Sequence, residues 1–241
     1  MPNDAELPVA LVTGTRTGVG RHVARYMLER GYAVIGCSRK PLDWTPPSER
    51  YTHFDTDVTS EEQVKALFGE MTRRFGRLDV VINNAGVASM NHVLLTPVTS
   101  LRKMLETHVC GTHAVSREAA LLMRKRKYGR IINLSSVAVP LSYEGQAAYV
   151  ASKAAVEGLS RVMARELREF GITVNVIGPG PTPTDMIRGV PKAKLEKMVS
   201  LFPVKRLTTF EEITSAIEFL LLPASSAITG QVIYLGGVPN S

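Results

Sequence analysis

The sequence predicts a single α/β domain, built on a doubly wound parallel sheet of about seven strands with helices on both faces. Short apolar, β-branched runs alternate along the chain with longer segments of helical periodicity, which is typical of a parallel sheet covered on both sides. The strand segments are almost continuously apolar, because both faces of such strands are buried. With 241 residues, of which 44% are hydrophobic and 21% charged, the chain can bury a large core without metal or disulfide support.

Seven segments have the length and composition of buried strands. They are Val9 to Thr13, Ala33 to Cys37, Tyr51 to Phe54, Val80 to Asn83, Arg130 to Ser135, Thr173 to Ile177 and Val232 to Leu235. Five longer segments have apolar residues at helical spacing. They are Val19 to Arg30, Ser60 to Phe75, Ser100 to Lys127, Ala148 to Phe170 and Phe210 to Leu222. No repeat, low-complexity segment or linker interrupts this alternation, so residues 1–241 are assigned to one domain.

Cysteine content and hydropathy exclude several classes of protein. Cys37 and Cys110 are the only cysteines and form no C-x-x-C pair, so neither a disulfide framework nor a metal site is predicted. The first residues lack a signal-peptide pattern, and no apolar run reaches about 18 residues. We therefore expect a cytoplasmic protein without a membrane partner.

The basic charge of the chain does not by itself indicate nucleic-acid binding. There are 29 Lys and Arg against 22 Asp and Glu, a formal net charge of +7. The densest basic run, Arg124 to Lys127, ends a predicted helix, where cations interact favourably with the negative end of the helix dipole. Only Tyr128 offers an aromatic ring nearby, and no zinc spacing accompanies the run. We expect no nucleic-acid partner, and a small phosphorylated or carboxylated ligand fits the charge better.

A glycine-rich turn joins the first predicted strand to the first predicted helix, with the sequence Thr13-Gly14-Thr15-Arg16-Thr17-Gly18-Val19-Gly20. Glycines let the backbone approach a pyrophosphate, and the free N–H groups and dipole of the helix attract phosphates. The spacing is G-x3-G-x-G rather than G-x-G-x-x-G, and a purely structural turn is the alternative interpretation. If the turn binds a dinucleotide, the candidate contacts are Gly14, Arg16, Thr17, Gly18, Val19 and Gly20.

The end of the second predicted strand indicates which dinucleotide is bound. A carboxylate there would accept the ribose 2′-hydroxyl, whereas a guanidinium would pair with a 2′-phosphate. The sequence reads Cys37-Ser38-Arg39-Lys40, without an acid, and Arg16 adds a second cation. We therefore predict NADP(H) rather than NAD(H), with Ser38 and Arg39 as contacts. The alternative is that Arg39 and Lys40 only begin a solvated loop.

A tyrosine and a lysine are spaced to share one face of a helix. Tyr149 and Lys153 are four residues apart, and Ser136 ends a predicted strand 13 residues before Tyr149. An ammonium beside a phenol favours the phenolate and lowers its pKa, so the tyrosine could exchange a proton near neutral pH. A Ser136 hydroxyl could hold a substrate oxygen and share its developing charge. Taken alone, such a pair could equally be an amphipathic helix surface.

These motifs occur in an order that resembles the short-chain dehydrogenase/reductase family, and the resemblance extends from Val9 to Gly237. The matching motifs are Thr13-Gly14-xxx-Gly18-x-Gly20, Asp57-Val58, Asn83-Asn84-Ala85-Gly86, Ser136, Tyr149-xxx-Lys153 and Asn175 with Pro179-Gly180 leading to Thr184.

The resemblance implies a Rossmann-type fold that binds a nicotinamide dinucleotide. By this similarity, Tyr149 would be the acid/base, Ser136 would orient the carbonyl, and Lys153 would modify the tyrosine pKa and hold the nicotinamide ribose. Hydride would pass from the cofactor to a ketone while the tyrosine protonates its oxygen. The cofactor contacts implied outside the glycine turn are Ser38, Arg39, Asp57, Val58, Asn84, Ala85, Gly86, Tyr149, Lys153, Pro179, Gly180 and Thr184.

One position departs from the family pattern. The central helix of the family commonly carries Asn-x-x-Gly, and this chain has His108-Val109-Cys110-Gly111. In the family that asparagine positions a water that links the lysine to solvent. A neutral imidazole can both donate and accept hydrogen bonds. His108 is therefore predicted to support such a relay, and a structural substitution with altered pH dependence or a loss of activity are the alternatives.

The segment after Pro179-Gly180, about residues 179–206, is the expected substrate loop. Its apolar residues suggest an apolar wall, joined by a short segment before the central helix, although ordinary lid packing is an equal alternative. They are Met186, Ile187, Val190, Leu195, Met198, Val199 and Phe202, with Val93, Leu94 and Leu95. Its cations could receive an anionic tail. They are Arg188, Lys192, Lys194, Lys197, Lys205 and Arg206.

The chain most resembles the 3-oxoacyl carrier-protein reductase branch, which docks its carrier protein on basic residues. Arg130 matches one such position, but the other, before Gly171, is Phe170. We predict an NADPH-dependent ketone or 3-oxoacyl reductase, with an acyl carrier protein as a weakly supported partner. The alternatives are a secondary-metabolite or sugar-like ketone as substrate, or a non-catalytic NADP(H) sensor. The resemblance also implies a homotetramer or homodimer.

Overall fold

The computed structural model describes residues 7–188, 190 and 192–237. Seven parallel strands form one sheet in the order β3-β2-β1-β4-β5-β6-β7. The strands are β1 (Val9–Thr13), β2 (Ala33–Ser38), β3 (Tyr51–Asp55), β4 (Val80–Asn83), β5 (Gly129–Leu134), β6 (Ile172–Gly178) and β7 (Val232–Tyr234). The predicted fold class is confirmed.

Nine α-helices in the described part of the chain surround this sheet. They are α1 (Gly18–Glu29), α2 (Glu61–Phe75), α3 (Val98–Leu105), α4 (Gly111–Met123), α5 (Ala138–Leu141), α6 (Ala147–Glu166), α7 (Asp185–Arg188), α8 (Lys192–Ser200) and α9 (Phe210–Leu221). The prediction of one unbroken helix from Ser100 to Lys127 is wrong. A π-helical turn, Glu106–Cys110, separates α3 from α4, and a 3₁₀ turn, Arg124–Arg126, follows α4.

The core forms one layer on each face of the sheet. In β1, Val9 and Leu11 pack on the layer that contains α2, α4 and α6, whereas Ala10 and Val12 pack on the layer that contains α1 and α9. This alternation explains why the strand is apolar from Val9 to Val12. Each large side chain fully buried in these layers contributes about 1.5–3 kcal/mol through removal from water.

The strand order reverses next to β1, and this reversal sets the position of the ligand crevice. The chain passes from β1 to β2 on one side, and β4 later pairs with β1 on the other side. The connections therefore leave the sheet in opposite directions above the carboxyl ends of β1 and β4, which opens a crevice there. The glycine-rich turn follows β1 directly, so the fold places it at this crevice.

Helix α9 begins with a capping box that supports a pH-dependent prediction. Glu212 accepts a hydrogen bond from the Thr209 backbone N–H at 2.8 Å, Thr209 Oγ1 accepts one from the Glu212 N–H at 3.2 Å, and Arg206 donates two to the Glu212 carboxylate at 2.6 and 3.0 Å. The Arg206 side chain and the Thr209 N–H lower the pKa of Glu212 to about 2. The ionised carboxylate therefore stabilises the fold at pH values above its unfolded pKa.

Glu212→Gln is expected to lower the free energy of unfolding at pH 7 by about 0.5–1 kcal/mol, because glutamine keeps the cap but loses the charge, which solvent partly screens. The difference from wild type should shrink as the pH falls from about 4.5 towards 2. Urea unfolding across this range measures it. Glu211→Gln, on the same first turn but without an Arg206 contact, should change stability less, and a pH-independent difference for Glu212→Gln would contradict the prediction.

Candidate active site

A cavity of about 950 Å³ lies at the carboxyl ends of the strands. Its wall begins at the glycine-rich turn, continues past the ends of β2 and β4, and reaches α6 and the segment after β6. A cavity of this size suits a large organic ligand. Every residue predicted from the sequence as catalytic or cofactor-binding lines this cavity except Gly20.

Gly20 lies behind the turn rather than on the cavity wall. A Cβ at this position would lie 2.2 Å from the Gly14 carbonyl oxygen and 2.4 Å from Asn84 Nδ2. Its predicted direct contact with a cofactor is therefore corrected, because the glycine is needed for the close packing of α1 beneath the turn. Gly14 and Gly18 have φ values of 74° and 55°, which favour glycine.

The amino end of α1 is open to the cavity. Thr17 is the N-cap residue but makes no side-chain capping hydrogen bond, and the first turn of the helix has no acidic residue. Gly18 and Val19, which begin the helix, line the cavity with Thr17. Backbone N–H groups at the beginning of a helix and the positive end of its dipole bind anions. This end of the cavity is therefore suited to phosphate groups.

The segment after β4 is tied to the glycine-rich turn. Thr13 Oγ1 accepts hydrogen bonds from the backbone N–H groups of Asn84 at 3.0 Å and Ala85 at 2.9 Å. Asn84 Nδ2 donates to the carbonyls of Thr13 at 2.9 Å and Gly14 at 3.3 Å. The asparagine side chain therefore holds two cavity walls together. Sequence reasoning missed this use of Thr13, because the contact joins residues about 70 positions apart.

Cations line the cavity at the end of β2. Ser38, Arg39 and Lys40 contribute to the wall, and both cations are exposed. Arg16 faces them from the glycine-rich turn, where its Nε donates to the Pro41 carbonyl at 3.1 Å and its Nη2 lies 3.4 Å from Asp43. No acidic residue stands where β2 ends, as the sequence indicated. The carboxylate of Asp43 as a partner of Arg16 was not anticipated.

Two cavity-lining residues follow β3. The Asp57 carboxylate accepts hydrogen bonds from the Thr59 backbone N–H at 3.0 Å and hydroxyl at 2.9 Å. Val58 packs against the central helix, since a Cβ on Gly111 would lie 2.8 Å from Val58 Cγ2. The close approach of this helix to the cavity wall therefore depends on a glycine at position 111.

The predicted Ser-Tyr-Lys set comes together on one wall of the cavity. Ser136 follows β5 and lines the same cavity wall as Tyr149 on α6, and its hydroxyl accepts a hydrogen bond from the Ala138 N–H at 3.1 Å. Lys153, one turn further along α6, is 6% exposed. Its Nζ donates to the Leu134 carbonyl at 2.7 Å and lies 5.9 Å from the centre of the Tyr149 ring. The Leu134 carbonyl as a partner of Lys153 was not visible in the sequence.

Burial controls the protonation of both α6 side chains. Burial raises the pKa of Tyr149, and the hydrogen bond from Ser136 acts in the opposite direction. Burial also lowers the pKa of Lys153 to about 8. Desolvation of the phenol sets the direction of the Tyr149 shift, and the predicted effect of Lys153 on the tyrosine pKa stays a prediction.

A buried glutamate supports this wall from behind. Glu157 is 4% exposed and lies on α6 one turn after Lys153. Its Oε1 accepts hydrogen bonds from Ser135 Oγ at 2.6 Å and from the Tyr234 hydroxyl at 2.8 Å. These contacts join α6 to the ends of β5 and β7. The spacing of Tyr149, Lys153 and Glu157, four residues each, is a sequence signal that could have found it.

His108 is fully buried next to this wall, within the π-helical turn. Its Nε2 accepts the Val87 backbone N–H at 3.0 Å, and its Nδ1 lies 2.8 Å from Ser152 Oγ. Burial, followed by the charge of Lys153, lowers the pKa of His108 to about 3. The imidazole is therefore neutral at pH 7, and protein atoms occupy both ring nitrogens.

The segment after β6 closes the other side of the cavity. Pro179 accepts a hydrogen bond from the Val137 N–H at 3.1 Å through its carbonyl, and Gly180 is buried. Thr184 packs over the glycine-rich turn, because a Cβ on Gly18 would lie 3.2 Å from its methyl carbon. The turn and this segment therefore enclose the cavity between them.

The expected apolar wall is present in part. Its cavity-lining members are Ile187, Val190, Leu195 and Met198, and Tyr143 joins them. Val93, Leu94 and Leu95 do not line the cavity and are 61%, 86% and 74% exposed. The prediction that they join the apolar wall is therefore wrong. The side chains predicted at positions 186, 188, 192 and 194 lie outside the described part of the structure.

Gln146 adds a polar group to this apolar region. It lines the cavity three residues before Tyr149, and its buried Oε1 has no hydrogen-bond partner among the described residues. Buried polar atoms normally have partners. Gln146 is therefore a candidate substrate contact that sequence reasoning missed, because glutamine carries no spacing signal.

Arg130 does not occupy the exposed position expected of a docking residue. It is 4% exposed, lies over the Tyr128 ring at 4.6 Å, and donates to the Gly129 carbonyl at 3.0 Å. It sits at the amino end of β5, about 13 Å along the strand from Leu134 and the cavity. The tertiary packing therefore removes this residue from any surface beside the site.

Two negative findings concern the described residues alone. Within residues 7–188, 190 and 192–237, no three His, Cys, Asp or Glu side chains are grouped so as to hold a metal ion. No helix in that part of the chain has both the length and the apolar character needed to cross a bilayer.

The crevice at the strand-order reversal and the polar wall on α6 define the class: an NAD(P)-dependent oxidoreductase with a Rossmann-type fold. A family model described as enoyl-(acyl carrier protein) reductase matches residues 14–237. The chain belongs to the short-chain dehydrogenase/reductase family.

Similar proteins cover nearly the whole chain. The 3-oxoacyl-[acyl-carrier-protein] reductase FabG of Vibrio cholerae is 33% identical over 235 residues, which cover 95% of this chain and 96% of that protein. The Staphylococcus aureus FabG is 34% identical over 236 residues, with coverage of 95% and 96%. Among solved structures, ElxO with NADP bound is 30% identical with a TM-score of 0.87, covering 95% of this chain and 97% of that one. The aldohexose dehydrogenase of Thermoplasma acidophilum, in ligand-free form, is 29% identical with a TM-score of 0.86 and coverage of 99% and 98%.

Proposed function

We propose that this protein reduces a ketone to a secondary alcohol with NADPH, with Tyr149 as the proton donor. The observation that carries the proposal is the placement of Ser136, Tyr149 and Lys153 on one wall of the cavity that begins at the glycine-rich turn. A fold of this family hosts many substrates, so the argument depends on the site itself.

The residues at the glycine-rich turn fit a dinucleotide. Gly14 lines the cavity without a side chain, so its backbone can be approached closely, and the uncapped end of α1 suits a pyrophosphate. Arg39 after β2, with Arg16 facing it from the glycine-rich turn, suits a 2′-phosphate, since guanidinium pairs well with phosphate oxygens. When bound, the nicotinamide supplies hydride to the carbonyl carbon.

The protein side chains handle the proton. Ser136 holds the carbonyl oxygen by a hydrogen bond, and Tyr149 transfers its phenolic proton to that oxygen as the carbon gains hydride. The raised pKa of Tyr149 keeps the phenol protonated before the transfer. Lys153, with its pKa lowered to about 8, still carries most of its positive charge at pH 7 and stabilises the phenolate that forms.

The walls of the substrate end suit an apolar chain with one polar group. The segment 179–206 serves as the substrate loop and contributes Ile187, Leu195 and Met198, while Gln146 offers an unpartnered amide oxygen. A 3-oxoacyl thioester has this character, and two relatives are named 3-oxoacyl-[acyl-carrier-protein] reductases. A sugar-like substrate is the second candidate, because the chain resembles an aldohexose dehydrogenase and Gln146 could accept a hydroxyl hydrogen bond.

The proposal includes assembly into a homotetramer or homodimer. The family resemblance implies it, and Leu121 on α4 and Val162 on α6 leave 36% and 54% of their surface exposed. Exposed apolar groups on neighbouring helices favour association. An acyl carrier protein stays a weakly supported partner, because Arg130 is buried.

The test is NADPH oxidation, followed by absorbance, against a panel of simple ketones, 3-oxoacyl thioesters with and without a carrier protein, and keto sugars, with aldohexose oxidation as the reverse assay. Turnover of a 3-oxoacyl thioester that is lost in Tyr149→Phe supports the proposal. Tight NADPH binding without turnover on any substrate would favour the cofactor sensor instead.

Arg39→Ala is expected to weaken NADPH binding about tenfold and to change NADH binding by less than about twofold, because only NADPH carries the 2′-phosphate. Dissociation constants come from energy transfer between Trp44, the only tryptophan, and the reduced cofactor. Trp44 donates to the Thr15 carbonyl at 3.0 Å, so it lies beside the glycine-rich turn.

Lys65→Ala is the matched control for Arg39→Ala. It removes one positive charge on α2, where Lys65 pairs with Glu61 at 2.8 Å, away from the cavity wall. Both affinities should stay near those of wild type. An equal loss of NADH and NADPH affinity in Arg39→Ala would contradict the assignment of this side chain to the 2′-phosphate.

A further inference from the structure

His108 connects two walls of the cavity. Val87 follows the Asn84–Gly86 segment and lines the cavity, and its backbone N–H donates to His108 Nε2 at 3.0 Å. Because Nε2 accepts this bond, Nδ1 carries the ring proton and donates to Ser152 Oγ at 2.8 Å. Ser152 Oγ in turn donates to the Tyr149 carbonyl at 2.7 Å.

The surroundings of the ring are built for this connection. Gly86 admits the imidazole, because a Cβ there would lie 3.0 Å from His108 Nε2. The His108 ring also meets the Tyr149 ring edge to face, with 5.6 Å between ring centres. Aromatic pairs prefer this arrangement. The imidazole therefore contacts both the backbone turn and the ring of the proposed proton donor.

The π-helical turn brings His108 to this place. The Gly111 N–H bonds the Glu106 carbonyl, five residues earlier, and the Thr107 hydroxyl bonds the Lys103 carbonyl at 3.0 Å. Side-chain bonds to the backbone of the preceding turn disturb regular helices, and π-helical turns often occur at functional sites. The helix widens into a π-helical turn at His108, and the side chain is fully buried there. Both features indicate that the fold holds the imidazole in a defined place.

We infer that His108 is a positioning residue: a neutral, two-ended link that holds the Val87 segment to α6 and so fixes where Tyr149 meets the cofactor cavity. The inference rests on the proposed function, because it assigns Tyr149 as the proton donor. It differs from a water relay through the imidazole, because Val87 and Ser152 occupy both ring nitrogens.

Replacing His108 with glutamine or with asparagine tests the two hydrogen bonds of this link one at a time. The amide of glutamine reaches the place of Nε2 and can accept the Val87 N–H, whereas the amide of asparagine reaches the place of Nδ1 and can donate to Ser152. Each variant therefore keeps one hydrogen bond and loses the other. Ser152→Ala breaks the same end as His108→Gln without changing the histidine.

His108→Gln is expected to lower kcat about 5- to 10-fold, with KM and NADPH affinity within about twofold of wild type. The reason is that the turn of α6 that carries Tyr149 loses the hydrogen bond between the residue 108 side chain and Ser152 Oγ. Ser152→Ala should match it, and the double variant should be no worse than either single variant. His108→Asn should instead raise KM and weaken NADPH binding about fivefold, with kcat within about twofold, because the Val87 segment is released.

Amide hydrogen exchange at Val87 gives a readout that is independent of activity. Protection should be kept in His108→Gln and lost in His108→Asn. The pH profile of kcat should keep its shape in His108→Gln, since a neutral positioning group adds no titration of its own. If the wild-type protein reduced no carbonyl, the proposed function would be wrong. The difference in Val87 amide exchange between His108→Gln and His108→Asn, together with their NADPH affinities, would still test whether His108 links the Val87 segment to α6.

Three results would overturn the inference. They are equal changes of kcat and KM in the two His108 variants, unchanged Val87 protection in His108→Asn, and a shifted pH profile in His108→Gln, which would indicate proton relay through the ring. If a His108 variant does not fold, Ser152→Ala still tests the link, because it removes the hydrogen bond to His108 Nδ1 and leaves the histidine in place.

Discussion

Tyr149→Phe is expected to lower kcat for carbonyl reduction by about 10³-fold or more, because the variant has no proton to give to the forming alkoxide. The phenylalanine ring fills the same space, so the edge contact with His108 is kept. Loss of the phenol's hydrogen bonds should reduce NADPH affinity by no more than about fivefold. Steady-state assays with the best substrate of the panel, and Trp44 energy transfer for cofactor binding, measure the two effects separately.

The matched control for Tyr149→Phe is Tyr128→Phe. Tyr128 is 39% exposed and packs against Arg130 at the amino edge of the sheet, away from the cavity. Its variant should have wild-type kcat and NADPH affinity. If Tyr149→Phe kept more than about a tenth of wild-type kcat, a different group would have to supply the proton, and the assignment of Tyr149 would be wrong.

Gly20→Ala is expected to abolish NADPH binding at micromolar concentrations and to lower the free energy of unfolding by about 3 kcal/mol. The added methyl group would lie 2.2 Å from the Gly14 carbonyl oxygen. Because the neighbouring atoms are backbone, α1 must move away from the glycine-rich turn, which displaces the N–H groups suited to phosphate. Urea unfolding and Trp44 energy transfer measure the two effects.

Gly69→Ala is the control for a general effect of replacing glycine with alanine. Gly69 lies within α2, and a Cβ there meets nothing within 4 Å. Alanine should stabilise that helix by up to about 1 kcal/mol, because it is the better helix former, and NADPH binding should be unchanged. Wild-type NADPH affinity in Gly20→Ala would show that the close approach of α1 to the turn is not required.

The strands were the most predictable part of the fold. All seven occur close to the segments predicted for them. Burial on both faces makes the central strands mostly apolar, whereas β3 and β7 are only partly buried. The helix prediction fails where tertiary contacts decide the backbone. From Ser100 to Lys127 the apolar spacing is that of one helix, yet Gly111 packs on Val58 and His108 turns inward, and a π-helical turn results.

The candidate site was predicted in composition but not in the role of every member. Ser136, Tyr149 and Lys153 line one cavity as expected. Gly20 lies behind the turn, and Arg130 is buried. Both errors have the same origin: a motif gives the identity of a residue, whereas its exposure depends on chain segments that pack against it from far along the sequence.

By itself, the sequence determined the α/β class, the position of the glycine-rich turn at the end of β1 and the absence of an acid at the end of β2. These features depend on local spacing and on residue type, which a sequence shows directly. Only the tertiary structure decided that burial raises the pKa of Tyr149 and that Lys153 donates to the Leu134 carbonyl. The same holds for His108, whose two ring nitrogens both form hydrogen bonds with protein atoms. Desolvation and hydrogen-bond partnership arise from atoms that folding brings together across many residues, so no local pattern records them.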